Sequence, residues 1–140
     1  MIVDQHPAFV TWLSSFVQDL DLYGELCALV NALEREGRDL FGTDECHPVV
    51  TSPFLYALRR TPPTTTTPYA SAPPVIRMLF ALTINPNDPA EAPAAVLLHG
   101  GDKTRLANLW YPPNIATAHS RLQTYTTLTT RHPKPERRNR

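Results

Sequence analysis

The spacing of hydrophobic and polar residues divides the chain into a helical N-terminal part and a β-rich central part. Residues 1–5 predict a short edge strand. Apolar positions in residues 6–20 recur at helical spacing, and a second helical pattern follows and stops at Gly37, as helices often do. The two predicted helices form a hairpin whose apolar faces comprise Phe9, Trp12, Leu13, Phe16 and Leu20 in the first helix and Leu22, Leu26, Leu29, Val30 and Leu33 in the second.

Three apolar runs of strand length follow, at residues 54–60, 75–82 and 92–100, each bounded by Pro, Asn, Asp or Gly. Alternation in the middle run predicts that Ile76, Met78, Phe80 and Leu82 face the core. Arg77 would then lie on the opposite, open face of a central strand, where a long charged side chain is expected to have a specific role. A last helix is predicted from near Pro113 or Asn114, through Ile115, Ala118, Leu122 and Tyr125.

The predicted order of elements is β-α-α-β-β-β-α. It is typical of a small α+β domain, with an antiparallel sheet, an N-terminal helical hairpin packed on one face and a C-terminal helix. The domain is predicted to span residues 1–126, and residues 127–140 to form a basic, disordered tail. Residues 61–74 predict a mobile low-complexity loop, and residues 85–92 an extended hairpin turn.

Composition favours one soluble cytoplasmic domain. The 140 residues include two cysteines without metal-type spacing and no apolar run long enough to span a membrane, and the N-terminus lacks the pattern of a signal peptide. The net charge of zero hides an asymmetry: residues 1–45 carry nine acids and two bases, whereas residues 46–130 carry six bases and three acids. A polyanion would be attracted to the second part.

Segments "SPFLYALRR", "VIRMLFAL" and "AVLLHGGDKTRLANLWYPPNIATAH" resemble, in order and spacing, the HigB-like (phage-derived Gp49-like) branch of the RelE/ParE toxin superfamily. Those toxins belong to bacterial type II toxin–antitoxin systems. The resemblance covers residues 1–125, and its last segment is the specific one. It implies a RelE-like fold, a helix-turn-helix antitoxin as partner, and ribosome-dependent endoribonuclease activity on mRNA that inhibits translation.

The resemblance and the chemistry of RNA cleavage together single out three cations as catalytic candidates. Cleavage needs positive charge around the phosphate, and Arg77, Lys103 and Arg59 match the family's "RILFAF", "GDK" and "ELR" motifs. Two alternatives stay open on the same fold. One is a gyrase-directed poison that needs no catalytic residues; the other is an inactive antitoxin-binding module, which Tyr56 and Ala57 favour because they depart from the motif.

Further residues beside these motifs are candidates for RNA binding: Arg60, Arg105, His99 and Tyr111. His99 is placed on the open face by alternation with Leu97, and its alternative is a strand-end histidine with satisfied hydrogen bonds. For Trp110 and Tyr111 the alternative is a hydrophobic anchor of the last helix, and for Arg60 a solvated charge at the strand end. Gly100 and Gly101 predict a sharp exit from the strand and a close backbone approach, with Asp102 capping the turn. No cluster has metal-ligand spacing, so neither metal nor cofactor is predicted.

Overall fold

The computed structural model describes residues 1–60, 74–83 and 94–130, and these form an α+β domain. Residues 61–73 of the loop predicted at 61–74, and the whole of the turn predicted at 85–92, lie outside these residues. None of the helices in the described part of the chain is long and apolar enough to cross a membrane. The elements are β1 (Val3–Gln5), α1 (Pro7–Ser14), α2 (Leu20–Glu36), β2 (Cys46–Pro48), β3 (Leu55–Arg60), β4 (Ile76–Thr83), β5 (Ala94–Asp102) and α3 (Tyr111–Thr130), with short 3-10 turns at Gly37–Leu40 and Ala107–Trp110.

The five strands form one sheet in the order β1-β5-β4-β3-β2. The pairs β2·β3, β3·β4 and β4·β5 are antiparallel, whereas β1 pairs parallel with β5, so the sheet is mixed rather than purely antiparallel. The sequence analysis missed β2. Its Pro48 cannot donate a ladder hydrogen bond, and the strand accordingly lies at the edge of the sheet.

The two faces of the sheet carry different helices. Ile76, Met78 and Phe80 of β4 pack against α1 and α2, as alternation predicts, while Leu79 and Ala81 pack against α3. The predicted α+β fold, with the N-terminal hairpin on one face and a C-terminal helix, is therefore confirmed, and α3 packs on the face opposite the hairpin. The chain passes to the other face through the turn after β5, and α3 then covers part of that face and leaves a cleft beside it.

The predicted first helix also ends earlier than its apolar spacing indicates. α1 stops at Ser14, and Asp19 then caps α2, its Oδ1 accepting a hydrogen bond from the Leu22 amide at 3.2 Å. Short polar side chains offer the backbone such alternatives to a continuous helix. Leu20 therefore begins α2 and is 75% exposed, so its predicted place on the apolar face is wrong. At the other end of the chain, α3 starts two residues before Pro113 and continues to Thr130, beyond the domain boundary predicted at 126.

Candidate functional site

Four of the seven residues singled out from sequence lie together at one cleft on the α3 side of the sheet. The cleft encloses about 410 Å³, and Arg59, Lys103 and Tyr111 line it, with Arg77 beneath Tyr111. The other lining residues are His47, Pro48, Val49, Val50, Thr51, Ala57, Asn108 and Pro112. The lining therefore combines a set of apolar side chains with the positive charges of Arg59 and Lys103.

Strand register explains why the cations meet. Arg59 of β3 lies directly opposite Arg77 of β4, and Arg77 lies opposite Gly101 of β5, two residues before Lys103. Residues opposite each other on neighbouring strands share a face of the sheet, so the three cations form a row across three strands. In the part of the chain that the structure describes, no carboxylate forms an ion pair with any of them.

Arg77 lies on the predicted face, but that end of the face is closed rather than open. Arg77 is only 3% exposed, and its side chain interacts with Tyr111 at the start of α3. Its Nη1 donates to the Ile76 carbonyl at 2.9 Å, while Nε is buried without a hydrogen-bond partner among the described residues. Burial lowers the pKa of Arg77, and a hydrogen bond with Tyr111 partly offsets this; a guanidinium nevertheless keeps its charge.

Lys103, a catalytic candidate from sequence, lines the cleft. Its Nζ is 5.3 Å from the centroid of the Tyr111 ring, within the range of a cation–π contact. Partial burial lowers the pKa of Lys103, and the like charges of Arg77 and Arg59 lower it further. This ammonium group therefore gives up a proton more readily than an ordinary lysine does.

The turn that carries Lys103 is held by Asp102, which acts as a cap, as the sequence analysis favoured. Its Oδ1 accepts hydrogen bonds from the Thr104 amide at 2.9 Å, from the Val75 amide at 3.1 Å and from the Thr104 hydroxyl. The Lys103 amide also donates to the Val75 carbonyl at 2.9 Å. These bonds tie the turn to the start of β4 and fix the backbone of Lys103.

Both glycines of the "HGGDK" motif allow a close approach, but the predicted sharp exit from the strand is wrong. β5 continues through Gly100 and Gly101 to Asp102. A Cβ on Gly100 would lie 2.3 Å from the ring of Trp12, and one on Gly101 would lie 2.8 Å from the ring of Trp110. Each glycine thus admits one indole ring, on opposite faces of the sheet.

Three of the predicted RNA-binding residues do not line the cleft. Arg60 points to the other face, where its Nε donates to Glu25 at 2.6 Å and its Nη1 to the Pro74 carbonyl at 3.0 Å. Arg105 is exposed on the turn after β5, outside the lining of the cleft. His99 lies below α3, stacked on Trp110 with ring centroids 6.0 Å apart.

The sequence left two roles open for His99, RNA binding and a strand-end histidine with satisfied hydrogen bonds. The structure agrees with the second. The Nδ1 of His99 accepts a hydrogen bond from Arg121 at 3.0 Å, and its Nε2 donates to the Asn114 side chain. It reaches this face through a β-bulge at Leu98 and not by alternation with Leu97, which packs on the opposite face. Burial lowers the pKa of His99; Asn114 partly offsets this, and Arg121 adds to it.

His47 is a residue of the cleft that the sequence analysis did not single out. It lies on β2 opposite Ala57, and its Nε2 is buried without a hydrogen-bond partner among the described residues. The missed signal is "CHPVV", a short run with β-branched residues whose proline is typical of an edge strand. Elsewhere in the described chain, no three His, Cys, Asp or Glu side chains are grouped so that they could hold a metal ion.

Comparison of the chain with protein-family models, with curated proteins and with solved structures finds no match. The cleft combines two accessible cations, a third cation below them and a set of apolar side chains. Such a site suits a ligand with an anionic group joined to a flat or apolar body.

Proposed function

We propose that the chain is the toxin of a type II toxin–antitoxin pair and cleaves mRNA as an endoribonuclease, thereby inhibiting translation. The observation that carries this proposal is the row of Arg59, Arg77 and Lys103 at one cleft, none of them ion-paired to a carboxylate among the described residues. Three like charges side by side destabilise the free protein and become favourable when an anion binds. The resemblance of the strands to HigB-like toxins supports the same choice.

The shape of the cleft favours a nucleotide unit as the ligand. Its volume of about 410 Å³ lies within the usual range for small-molecule sites. Arg59 and Lys103 would contact the phosphate, while Pro48, Val49 and Val50 would pack against the sugar and base. Tyr111 offers a ring on which a second base can stack. Phosphate contacts give affinity without sequence preference, so mRNA in general is the substrate class.

RNA supplies its own nucleophile for such a cleavage. The 2′-oxygen attacks phosphorus, the bond to the 5′-oxygen breaks, and the products are a 2′,3′-cyclic phosphate and a 5′-hydroxyl end. Arg59 would stabilise the negative charge that develops on the phosphate oxygens, because a guanidinium fork binds two of them at once. Lys103, whose pKa is lowered, would donate a proton to the leaving 5′-oxygen.

Arg77 has a supporting part in this proposal. Because it is 3% exposed, it acts on the phosphate as a fixed positive charge below Tyr111. A charge in a site that excludes water acts more strongly than the same charge in solution. Arg77 would also hold the Tyr111 ring in place, and with it the contact between that ring and Lys103.

The proposal includes two kinds of partner, the ribosome with its mRNA and a neutralising antitoxin with a helix-turn-helix domain. Both come from the resemblance to HigB-like toxins. The charge distribution is compatible with them, since the row of cations suits RNA while α2 carries acidic side chains on its exposed surface, among them Asp21, Glu25 and Glu34. A basic segment of an antitoxin would be attracted to that helix.

The test is inducible expression in bacteria, with translation followed by labelled amino-acid uptake and mRNA 5′ ends mapped after induction. Wild type is compared with Lys103→Ala and with Arg105→Ala, which removes an exposed cation two residues away that does not line the cleft. We expect new 5′-hydroxyl ends and translation arrest with wild type and Arg105→Ala. Lys103→Ala should reduce cleavage by about 100-fold, the usual cost of losing one proton-transfer group.

Two results would contradict the proposal. Growth arrest with intact mRNA, unchanged in Lys103→Ala, would identify a protein-directed poison. Unimpaired growth on induction of a folded wild-type protein would identify an inactive binding module.

A further inference from the structure

His47 occupies a particular place in the cleft. It lies on β2, and its partner across the ladder is Ala57 on β3, two residues before Arg59. Diagonal neighbours on adjacent strands are within reach of long side chains. The imidazole therefore continues the row formed by Lys103, Arg77 and Arg59 onto a fourth strand.

The hydrogen bonding of His47 distinguishes it from the other described histidines. His99 uses both ring nitrogens, His119 shares a hydrogen bond of 2.9 Å with Ser52, and His6 caps α1 through Nδ1. His6 also has an unpartnered Nε2, but it does not line the cleft. His47, by contrast, lines the cleft and has a buried Nε2 without a hydrogen-bond partner among the described residues. Leaving a buried polar atom unpaired is unfavourable, and such an atom indicates a ligand or a catalytic role.

We propose that His47 is a catalytic residue of the cleft, with its Nε2 acting as the general base that takes the proton from the 2′-hydroxyl of the bound RNA. This inference rests on the proposed function. The proton moves from the 2′-oxygen to Nε2 as the 2′-oxygen bonds to phosphorus, and the 5′-oxygen leaves with a proton from Lys103. One proton is accepted and one is donated, so the step balances without a further reactant.

The surroundings of His47 fit this role. The charged and titratable groups of the cleft that face it are Arg59 from β3, Lys103 from the turn after β5 and Tyr111 from α3, with Arg77 of β4 below Tyr111. All but the tyrosine are cations, so they attract the phosphate and do not compete with Nε2 for the 2′-hydroxyl proton. On its own segment, exposed Glu45 precedes β2, and its backbone carbonyl accepts from the Arg59 amide at 2.8 Å.

The experiment measures single-turnover cleavage of mRNA bound to ribosomes, from about pH 6 to about pH 8.5, a range that brackets the titration of an ordinary imidazole. It compares wild type, His47→Ala, His47→Gln and the control His119→Gln, which changes an exposed histidine outside the cleft. Circular dichroism melting establishes that each variant is folded. His47→Gln keeps a polar side chain of similar size but cannot exchange a proton, so it serves if His47→Ala does not fold.

We expect the wild-type rate to rise with pH on the acid side, because a base acts only when deprotonated. Both His47 variants should lose about 100-fold or more in rate and lose the acid limb of the profile. Added imidazole should restore cleavage and the acid limb in His47→Ala. His119→Gln should behave as wild type.

Three outcomes separate this inference from the proposed function. A wild-type protein that cleaves RNA while the His47 variants keep its rate and profile would overturn the role of His47 alone. A uniform loss of rate in the His47 variants with the acid limb retained would also overturn it, because the residue would then only bind substrate. A folded wild type that does not cleave would overturn the proposed function itself.

Discussion

The two faces of the sheet differ in what they bury. The face under α1 and α2 is closed by an apolar cluster in which Tyr56 and Phe80 stack with ring centroids 5.5 Å apart. The other face packs against α3 through a second apolar cluster, and beside the helix it presents both apolar side chains and the cations Arg59 and Lys103 to a cleft. One face therefore stabilises the fold, while the other is free to carry charge that folding alone does not require.

Adjacent residues on one strand contribute to opposite faces of the sheet. Arg59 faces the cleft, whereas Arg60 faces α2 and pairs with Glu25. Gly100 admits Trp12 on one face, and Gly101 admits Trp110 on the other. Since side chains alternate along a strand, adjacent positions can be changed separately to test each face.

The largest effect is expected from Phe80→Ala on the hairpin face. Phe80 is fully buried against the rings of Phe41 and Tyr56, so its removal leaves a cavity beside them. We expect the free energy of unfolding to fall by about 3–5 kcal/mol, measured by urea denaturation. Phe54→Ala, at an exposed position, should change it by less than about 0.5 kcal/mol. A loss below about 1 kcal/mol for Phe80→Ala would mean that this face does not hold the fold.

The next effect separates Arg59 from Arg60. Arg59→Ala should reduce mRNA cleavage by about 100-fold with little change in stability, because it removes a phosphate contact and no ion pair among the described residues. Arg60→Ala should leave cleavage unchanged and cost up to about 1 kcal/mol of stability, since its partner Glu25 is half exposed. Cleavage rates and urea denaturation of both variants measure this. Equal losses of cleavage in the two variants would contradict the assignment of the cations to opposite faces.

The strands that carry the cations were predictable from sequence because their signal is local. Apolar runs bounded by turn residues gave β3, β4 and β5, and alternation placed Arg77 on the α3 side. Alternation gave the wrong reason for the position of His99, because the bulge at Leu98 shifts the alternation by one residue and places Leu97 and His99 on opposite faces. A bulge depends on pairing between strands, which periodicity along one strand does not contain.

The arrangement around the cleft depends on contacts distant in sequence and was predicted only in part. Arg59, Lys103 and Tyr111 were identified by chemistry and resemblance, but the burial of Arg77 and its hydrogen bond with Tyr111 of α3 were not predicted. His47 was missed because β2 is three residues long and contains a proline. Its position became visible only with the pairing of His47 to Ala57.

A smaller effect is expected from Gly100→Ala. The new Cβ would lie 2.3 Å from the Trp12 ring, so the ring or the strand must move. We expect a loss of about 1–3 kcal/mol in the free energy of unfolding, as for other overpacked positions. The control Gly24→Ala, where nothing lies within 4 Å, should instead stabilise α2 by up to about 1 kcal/mol. An unchanged stability for Gly100→Ala would show that Trp12 does not pack on β5.

The smallest effect concerns His99 and the pH dependence of stability. Burial lowers the pKa of His99 below its usual 6.5, so as pH falls below that value the unfolded chain binds a proton that the folded protein does not accept. The stability that neutral His99 contributes is therefore fully present above about pH 6.5, and it is lost as the pH falls toward the lowered pKa. His6, whose pKa burial also lowers, contributes in the same direction. Urea denaturation at about pH 7.5 and about pH 5.5 should show a smaller decrease for His99→Gln than for wild type, and an equal decrease would mean that His99 takes up its proton in the folded state.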